Sequence, residues 1–170
     1  MADELTPGSG ALPAPPVDVV LDTNVLLDWL VFDDPHGRAV GAAVMAGSLR
    51  WLITPAMHEE ATDVFGRLGR LPELQRWRER EAQAHAMLAA WALPVRAPDP
   101  LPIAQRVRCT DPDDQVFVDL ALARRVPWLI SRDRAVLKLA KRLSRWGVSA
   151  LTPPRWCALQ ASAASHRPAA

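Results

Sequence analysis

Short apolar runs alternate along the chain with longer segments in which apolar residues recur at helical spacing. The apolar runs are typical of strands that are buried on both faces. They are Val17–Leu21, Trp51–Ile53, Pro127–Ile130 and Val148–Leu151. The helical patterns cover Thr23–Val31, Arg38–Ala46, Pro55–Leu68, Pro72–Trp91, Pro112–Ala123 and Arg132–Leu143. This alternation predicts an α/β fold with a central parallel sheet covered by helices on both sides.

Capping residues indicate where three of the helices begin. Thr54, Asp111 and Ser131 each precede a residue that suits the first helical turn, and a proline follows the first two. Thr54 and Ser131 come directly after predicted strands. In an open α/β sheet this junction is the carboxyl edge, where ligands bind.

The two ends of the chain differ in composition from the middle. Residues 1–16 are rich in Pro, Ala and Gly, which predicts a disordered N-terminal tail. Residues 158–170 have a similarly loose pattern and predict a flexible C-terminal tail. The remaining residues, 17–157, are sufficient for one well-buried domain.

Charge and cysteine content narrow the class of protein. The formal net charge is +1, so any contact with a polyanion has to come from local basic patches. Cys109 and Cys157 are far apart and form no CxxC motif, which favours reduced thiols over a disulfide or a zinc site. No run approaches the roughly 18 apolar residues of a membrane helix, and the acidic N-terminus is unlike a signal peptide. We therefore expect a cytoplasmic protein without a membrane partner.

Asp22 directly follows the first predicted strand and therefore lies at the carboxyl edge of the sheet. Thr23 and Asn24 come next and are polar side chains able to orient it. The alternative is that Asp22 only caps the helix that begins at Thr23. Its position alone leaves both interpretations open.

Helical geometry separates two adjacent glutamates in the third helix. At about 100° per residue, Glu60 lies at the edge of the apolar stripe that contains Met57 and Ala61, whereas Glu59 points to solvent. A carboxylate beside an apolar stripe is costly unless a cation neutralises it. Glu60 is therefore a candidate site residue, with the alternative that it only flanks the core and reaches water.

The same test selects Asp114 near the start of a later helix, because it lies on the face of Phe117 and Val118. Asp111 as N-cap and Asp113 in the first turn are explained by the helix dipole without any function.

Asp133 follows the strand that ends before Ser131, and by itself it could also serve only to stabilise a helix start. Asp133 is a candidate site residue because it is one of four acids that lie at the carboxyl edge or on helices that lead from it. Clustered carboxylates repel one another unless they share a divalent cation. Oxygen ligands in this number suit Mg²⁺ or Mn²⁺, and pairs of such ions promote phosphodiester hydrolysis.

Four segments resemble bacterial PIN-domain proteins: LDTNVLLDWL, TPAMHEEATDVF, DPDDQVFVDLALARRVPWLISRDRAVL and GVSALTPPRW. The likeness covers about Val17 to Trp156 and is nearest to the group described as toxin components of toxin–antitoxin systems. It implies a three-layer α/β/α fold, an Mg²⁺- or Mn²⁺-dependent ribonuclease, and a cognate antitoxin and a homodimer as partners. The metal ligands and catalytic acids that it implies are Asp22, Glu60, Asp114 and Asp133. The ligand-orienting residues that it implies are Asn24 and Ser131.

The resulting hypothesis is hydrolysis of single-stranded RNA by water that the ion activates, without a histidine or lysine base. A candidate RNA track comprises the six cations Arg132, Arg134, Lys138, Lys141, Arg142 and Arg145. Of these, Lys138, Lys141/Arg142 and Arg145 form a stripe at helical spacing near Asp133, although basic stripes are usually solvated faces.

Other classes of protein fit the residues less well. The triplet His58-Glu59-Glu60 lacks the second histidine of a zinc-protease motif, because position 62 is threonine. A phosphatase that phosphorylates its own aspartate would need a second Asp where Asn24 stands. A catalytically inactive PIN fold that binds RNA or protein stays open as the alternative function, and a divalent-metal titration would discriminate it.

Overall fold

The computed structural model describes residues 15–71 and 75–165. The predicted N-terminal tail, residues 1–16, lies almost wholly outside this part of the chain. Among the described residues, no helix is long and apolar enough to cross a membrane.

The described chain contains one sheet of five parallel strands in the order β3-β2-β1-β4-β5. The strands are β1 (Val17–Leu21), β2 (Leu49–Ile53), β3 (Ala92–Pro94), β4 (Trp128–Ile130) and β5 (Ser149–Leu151). The chain adds β2 and β3 on one side of β1 and then crosses to add β4 and β5 on the other. The carboxyl ends of β1 and β4 therefore form the topological switch point, where ligands bind in sheets of this kind.

Helices follow most of the strands. Within the described ranges they are α1 (Thr23–Leu30), α2 (Pro35–Met45), α3 (Pro55–Leu68), α4 (Gln75–Trp91), α5 (Gln115–Arg124), α6 (Arg134–Leu137), α7 (Ala140–Leu143) and α8 (Pro153–Ser165). Short 3₁₀ turns lie at Ile103–Gln105 and Ser144–Trp146.

Both faces of the sheet are covered. Val19, Val20 and Leu21 are consecutive residues of β1, and none is more than 1% exposed. Because successive side chains of a strand point to opposite faces, burial of all three requires a layer on each side. The predicted three-layer α/β/α, PIN-like fold with a central parallel sheet is confirmed.

Strand β3 was not predicted from the hydrophobic pattern. It has only three residues, follows directly on α4, and exposes its last two side chains. It therefore carries no buried apolar run. Its final residue, Pro94, is tolerated because β3 is an edge strand and no further strand needs the missing N–H.

Helix α2 and the helical segment after β4 differ from their predicted bounds. Helix α2 begins at Pro35 rather than Arg38, because the side chain of Asp34 caps it. The segment predicted as one helix is divided into α6 and α7, since the N–H of Leu139 bonds to the carbonyl of Val136, only three residues back.

The C-terminal segment is helical for longer than predicted. Helix α8 runs to Ser165, so residues 158–165 form a helix where the sequence predicted a flexible tail. This part of α8 is exposed, and its alanine-rich run, ALQASAAS, favours the helix by intrinsic propensity rather than by packing. Residues 166–170 lie outside the described part of the chain.

Candidate active site

Asp22 is buried at the carboxyl end of β1, with only 2% of its surface exposed. One carboxylate oxygen accepts the backbone N–H of Asn24 at 3.2 Å, so Asp22 does cap α1. The other oxygen accepts the hydroxyl of Ser131, at the end of β4, at 2.5 Å. Burial raises the pKa of Asp22, and the hydrogen bond from Ser131 opposes the rise. Capping and a place in the site are therefore compatible, because each oxygen has a different partner.

Ser131 connects Asp22 to the segment that follows β4. This serine is fully buried, and its hydroxyl both donates to Asp22 and accepts the N–H of Asp133 at 2.9 Å. Asp133 in turn accepts the N–H of Ala135 at 2.5 Å and caps α6. The side chain of Asn24 also forms a hydrogen bond with Asp22 and lowers its pKa, with a smaller effect than Ser131. Ser131 and Asn24 thus both contact Asp22, as an orienting role requires.

Glu60 is held by Thr23 of α1. The hydroxyl of Thr23 donates to Glu60 Oε1 at 2.9 Å, across 37 positions of the sequence. The inward orientation predicted for Glu60 is confirmed, since it is half-buried and Glu59 is exposed. Burial raises the pKa of Glu60, and the charges of Asp22 and Asp113 add to the rise. Thr23 was expected to orient Asp22, but its hydroxyl serves the glutamate instead.

Asp114 immediately precedes α5, which begins at Gln115 rather than at the predicted Pro112. Its Oδ2 atom is buried and has no hydrogen-bond partner. Burial, together with the charges of Asp22 and Asp133, raises the pKa of Asp114 to about 7. A buried, unpartnered oxygen beside further carboxylates is stabilised when a cation shares the site.

The turn before α5 corrects the predicted N-cap of this helix. Asp111 accepts the N–H of Asp113 at 3.0 Å and closes a turn, while the N-cap position belongs to Asp114. The helix starts late because the N–H of Gln115 bonds to the carbonyl of Pro112, three residues back. Asp113 was attributed to the helix dipole alone, yet its charge acts on the glutamate of α3. No local sequence pattern signals that proximity, because it depends on how two distant helices pack.

A family model described as a PIN domain matches residues 18–135, well over half of the chain. The matched range begins in β1, ends in α6, and includes all four candidate acids. The chain belongs to the PIN-domain family. PIN domains are generally nucleases, and they generally use divalent metals. A search among curated proteins finds no match for the chain.

The acids of this PIN domain are suitable ligands for a divalent ion, although the structure does not hold them in a preformed metal site. Within residues 15–71 and 75–165, no three His, Cys, Asp or Glu side chains are grouped closely enough to hold a metal ion. Their charges nevertheless interact, because Asp22 raises the pKa of both Glu60 and Asp114. Hard oxygen donors of this kind suit Mg²⁺ or Mn²⁺. The donor chemistry of these residues therefore fits a divalent cation.

Arg132 differs from the other cations of the predicted RNA track. Its guanidinium pairs with Asp28 of α1 and, at 3.1 Å, with Asp34 ahead of α2. Its charge is already neutralised by these two carboxylates, so its contacts do not support the predicted role in RNA binding. Arg132 is exposed like the rest of the track, but among the described residues the other cations form no ion pair: Arg134, Lys138, Lys141, Arg142 and Arg145.

Proposed function

We propose that this PIN domain is a metal-dependent endoribonuclease that hydrolyses phosphodiester bonds of single-stranded RNA. The observation that supports this most is at Asp114, whose Oδ2 atom is buried without a hydrogen-bond partner and whose pKa is raised by burial and by the charges of Asp22 and Asp133. A buried carboxylate in this state is costly. This cost supports the proposal that a cationic ligand shares the site.

The acids that would hold Mg²⁺ or Mn²⁺ are Asp22, Glu60, Asp114 and Asp133. Ser131 fixes the first of them by donating its hydroxyl, and Thr23 fixes the second in the same way. Each hydrogen bond uses only part of the accepting capacity of a carboxylate, so lone pairs remain for a cation. When bound, the ion would supply Lewis-acid stabilisation of the phosphate and activation of water.

RNA would approach over the exposed cations that follow Asp133. The acidic site repels a phosphate backbone, so cations beside it are needed to hold the substrate. Exposed lysine and arginine side chains contact phosphates without reading the bases. This favours a substrate that is held through its backbone. The cations are Arg134, Lys138, Lys141, Arg142 and Arg145.

The biological setting that we propose is a bacterial toxin–antitoxin pair in which this chain is the toxin. The proposal is supported by the sequence resemblance over Val17 to Trp156. It includes a cognate antitoxin as partner, a homodimer as assembly, and the cytoplasm as the place of action.

The test of the proposed reaction is cleavage of a labelled single-stranded RNA by wild type and by Asp22→Asn, in Mn²⁺ and in EDTA. Asparagine has the same shape as aspartate and is an equally good N-cap, so α1 is retained while the charge is lost. We expect cleavage by wild type in Mn²⁺ only, and a rate lower by about 100-fold or more in Asp22→Asn. Equal cleavage by the two proteins would contradict the proposal.

The second candidate function is a catalytically inactive module that binds RNA or protein. The observation that favours it is the lack of a preformed group of three metal-binding side chains among the described residues. A titration with Mn²⁺ separates the two functions. The nuclease predicts saturable binding that Asp22→Asn weakens, whereas the inactive module predicts no specific binding by either protein.

A further inference from the structure

Arg132 lies between the two residues that connect β4 to the acidic site, Ser131 and Asp133. Its Nε atom contacts Asp28 and its Nη2 atom lies 3.1 Å from Asp34. One guanidinium therefore joins the end of β4 to α1 and to the start of α2. No pattern near Arg132 in the sequence indicates these partners, because Asp28 is 104 positions away.

Both carboxylates are themselves fixed. Asp28 lies on α1, and its side chain is only 14% exposed. Asp34 caps α2 by accepting the N–H groups of His36 and Gly37, each at 2.9 Å. The guanidinium is thus held between two anchored anions, which leaves it little freedom to contact a substrate.

The residues on either side of Arg132 make the contacts that organise the site. Ser131 donates to Asp22, and the N–H of Asp133 donates back to Ser131. A displacement of this segment away from α1 would therefore alter Asp22 and Asp133 together. The ion pairs of Arg132 oppose that displacement.

We infer that Arg132 is a positioning residue, which holds the Ser131–Asp133 segment against α1 and α2 so that Asp22 and Asp133 can share a divalent ion. This inference rests on the proposed function and replaces the expectation that Arg132 contacts RNA. Arginine suits the task because its planar fork offers separate nitrogen atoms to two carboxylates. Lysine, with one nitrogen on a flexible stem, can restore the charge but not the paired geometry.

The experiment compares variants that differ in one interaction each. Arg132→Met removes the cation, and Arg132→Lys restores the charge alone. Asp34→Asn removes the ion pair but retains the cap of α2, since asparagine caps equally well. Its matched control is Asp33→Asn, which removes only an exposed ion pair with Arg38.

Three readouts are measured on the full chain: hydrogen exchange of the Asp133 and Ala135 amides, the affinity for Mn²⁺ alone, and kcat and KM for RNA cleavage. We expect Arg132→Met to speed exchange at both amides and to weaken Mn²⁺ binding by about tenfold or more. Its kcat should fall, while KM and the salt dependence of RNA binding in EDTA stay at wild-type values. Arg132→Lys and Asp34→Asn should show part of each change, and Asp33→Asn none.

The inference is overturned if Arg132→Met leaves amide exchange and Mn²⁺ affinity unchanged. A weaker, less salt-dependent RNA affinity in that variant would instead make Arg132 an RNA contact. If wild type neither cleaves RNA nor binds Mn²⁺, the proposed function fails, and the inference fails with it as a statement about a metal site. Amide exchange then still decides whether Arg132 holds the segment, so the two failures are distinguishable.

Discussion

Asp113 and Asp114 are neighbours in the sequence but meet different surroundings ahead of α5. Asp113 is exposed, whereas Asp114 is partly buried and its Oδ2 atom has no partner. Glu59 and Glu60 form a second such pair, in which Thr23 donates only to the inner glutamate. In each pair, the candidate site residue is the member that the fold partly buries, and the other member is exposed.

The charge of Asp114 should destabilise the metal-free protein. In EDTA at about pH 8, Asp114→Asn is expected to unfold a few degrees above wild type, because the nearby Asp22 and Asp133 repel a charge at this position. A thermal-unfolding experiment measures the difference. In Mn²⁺ the order should reverse, since the variant has lost a ligand.

The control for this prediction is the same comparison at a lower pH, because the pKa of Asp114 is raised to about 7. A carboxyl group with a raised pKa costs the folded state stability as the pH climbs from the unfolded value, about 4, through the folded value. At about pH 5 wild-type Asp114 is largely protonated, so the advantage of Asp114→Asn should nearly vanish. An advantage of equal size at both pH values would contradict the charge explanation.

Residue positions that depend on local geometry could be predicted from the sequence. The angle between Glu59 and Glu60 depends only on helix geometry, and the strand-end position of Asp22 depends only on the preceding apolar run. The partner of Glu60 could not be predicted, because Thr23 reaches it across 37 positions through the packing of α1 on α3. The same holds for the pairing of Arg132 with Asp28.

At the scale of elements, the predicted strands are those whose apolar residues form a buried run. β1 and β4 end where the pattern predicts, so Asp22 and Ser131 could be assigned to the carboxyl edge. β3 was not predicted, because three residues of an edge strand are too few for a periodic pattern. The start of α5 was placed too early, because the turn that Asp111 closes has no periodic pattern of its own. Elements that depend on turns and edges are decided by neighbours rather than by their own composition.

The packing of α2 on α1 depends on a glycine. A Cβ atom added at Gly41 would lie 2.0 Å from the ring of Trp29, and that ring is buried with its edge against Trp51. Gly41→Ala should therefore lower the free energy of unfolding by about 1–3 kcal/mol through overpacking. Chemical denaturation measures the loss.

Gly66 is the matched control for that substitution. It lies within α3, and a Cβ atom there would meet nothing within 4 Å. Gly66→Ala should raise the free energy of unfolding by about 0.5–1 kcal/mol, because alanine loses less conformational freedom in a helix. Equal effects of the two substitutions would show that the contact with Trp29 does not control the packing.

At the scale of the whole molecule, the order of the strands creates the site. Asp22 and Ser131 are 109 positions apart, and they meet because β1 and β4 are neighbours at the switch point. The exposed cations of α6 and α7 lie in the connection that leads from the carboxyl end of β4 to the start of β5, so positive charge follows Asp133 along the chain. This distribution is compatible with a net charge of only +1, since each patch is local.

The exposed cations lead to a prediction about RNA affinity. Lys138 is the C-cap of α6, the helix whose N-cap is Asp133, whereas Arg124 is exposed at the opposite end of α5 from Asp114. Lys138→Ala should weaken RNA binding and reduce the slope of log affinity against log salt by about 0.7, the value for one phosphate contact with a single strand. Arg124→Ala should change neither quantity. Equal effects of both variants would indicate diffuse attraction rather than a defined RNA track.

The proposed function requires that the inward-facing acids at the carboxyl edge hydrolyse RNA with a divalent ion. The most direct test is the rate of RNA cleavage in Mn²⁺ for Glu60→Gln and Glu59→Gln, which are the same substitution at adjacent positions of one helix. We predict a loss of about 100-fold or more in Glu60→Gln and a wild-type rate in Glu59→Gln. Wild-type cleavage by Glu60→Gln, or a comparable loss in both variants, would show that Glu60 has no specific role in the reaction.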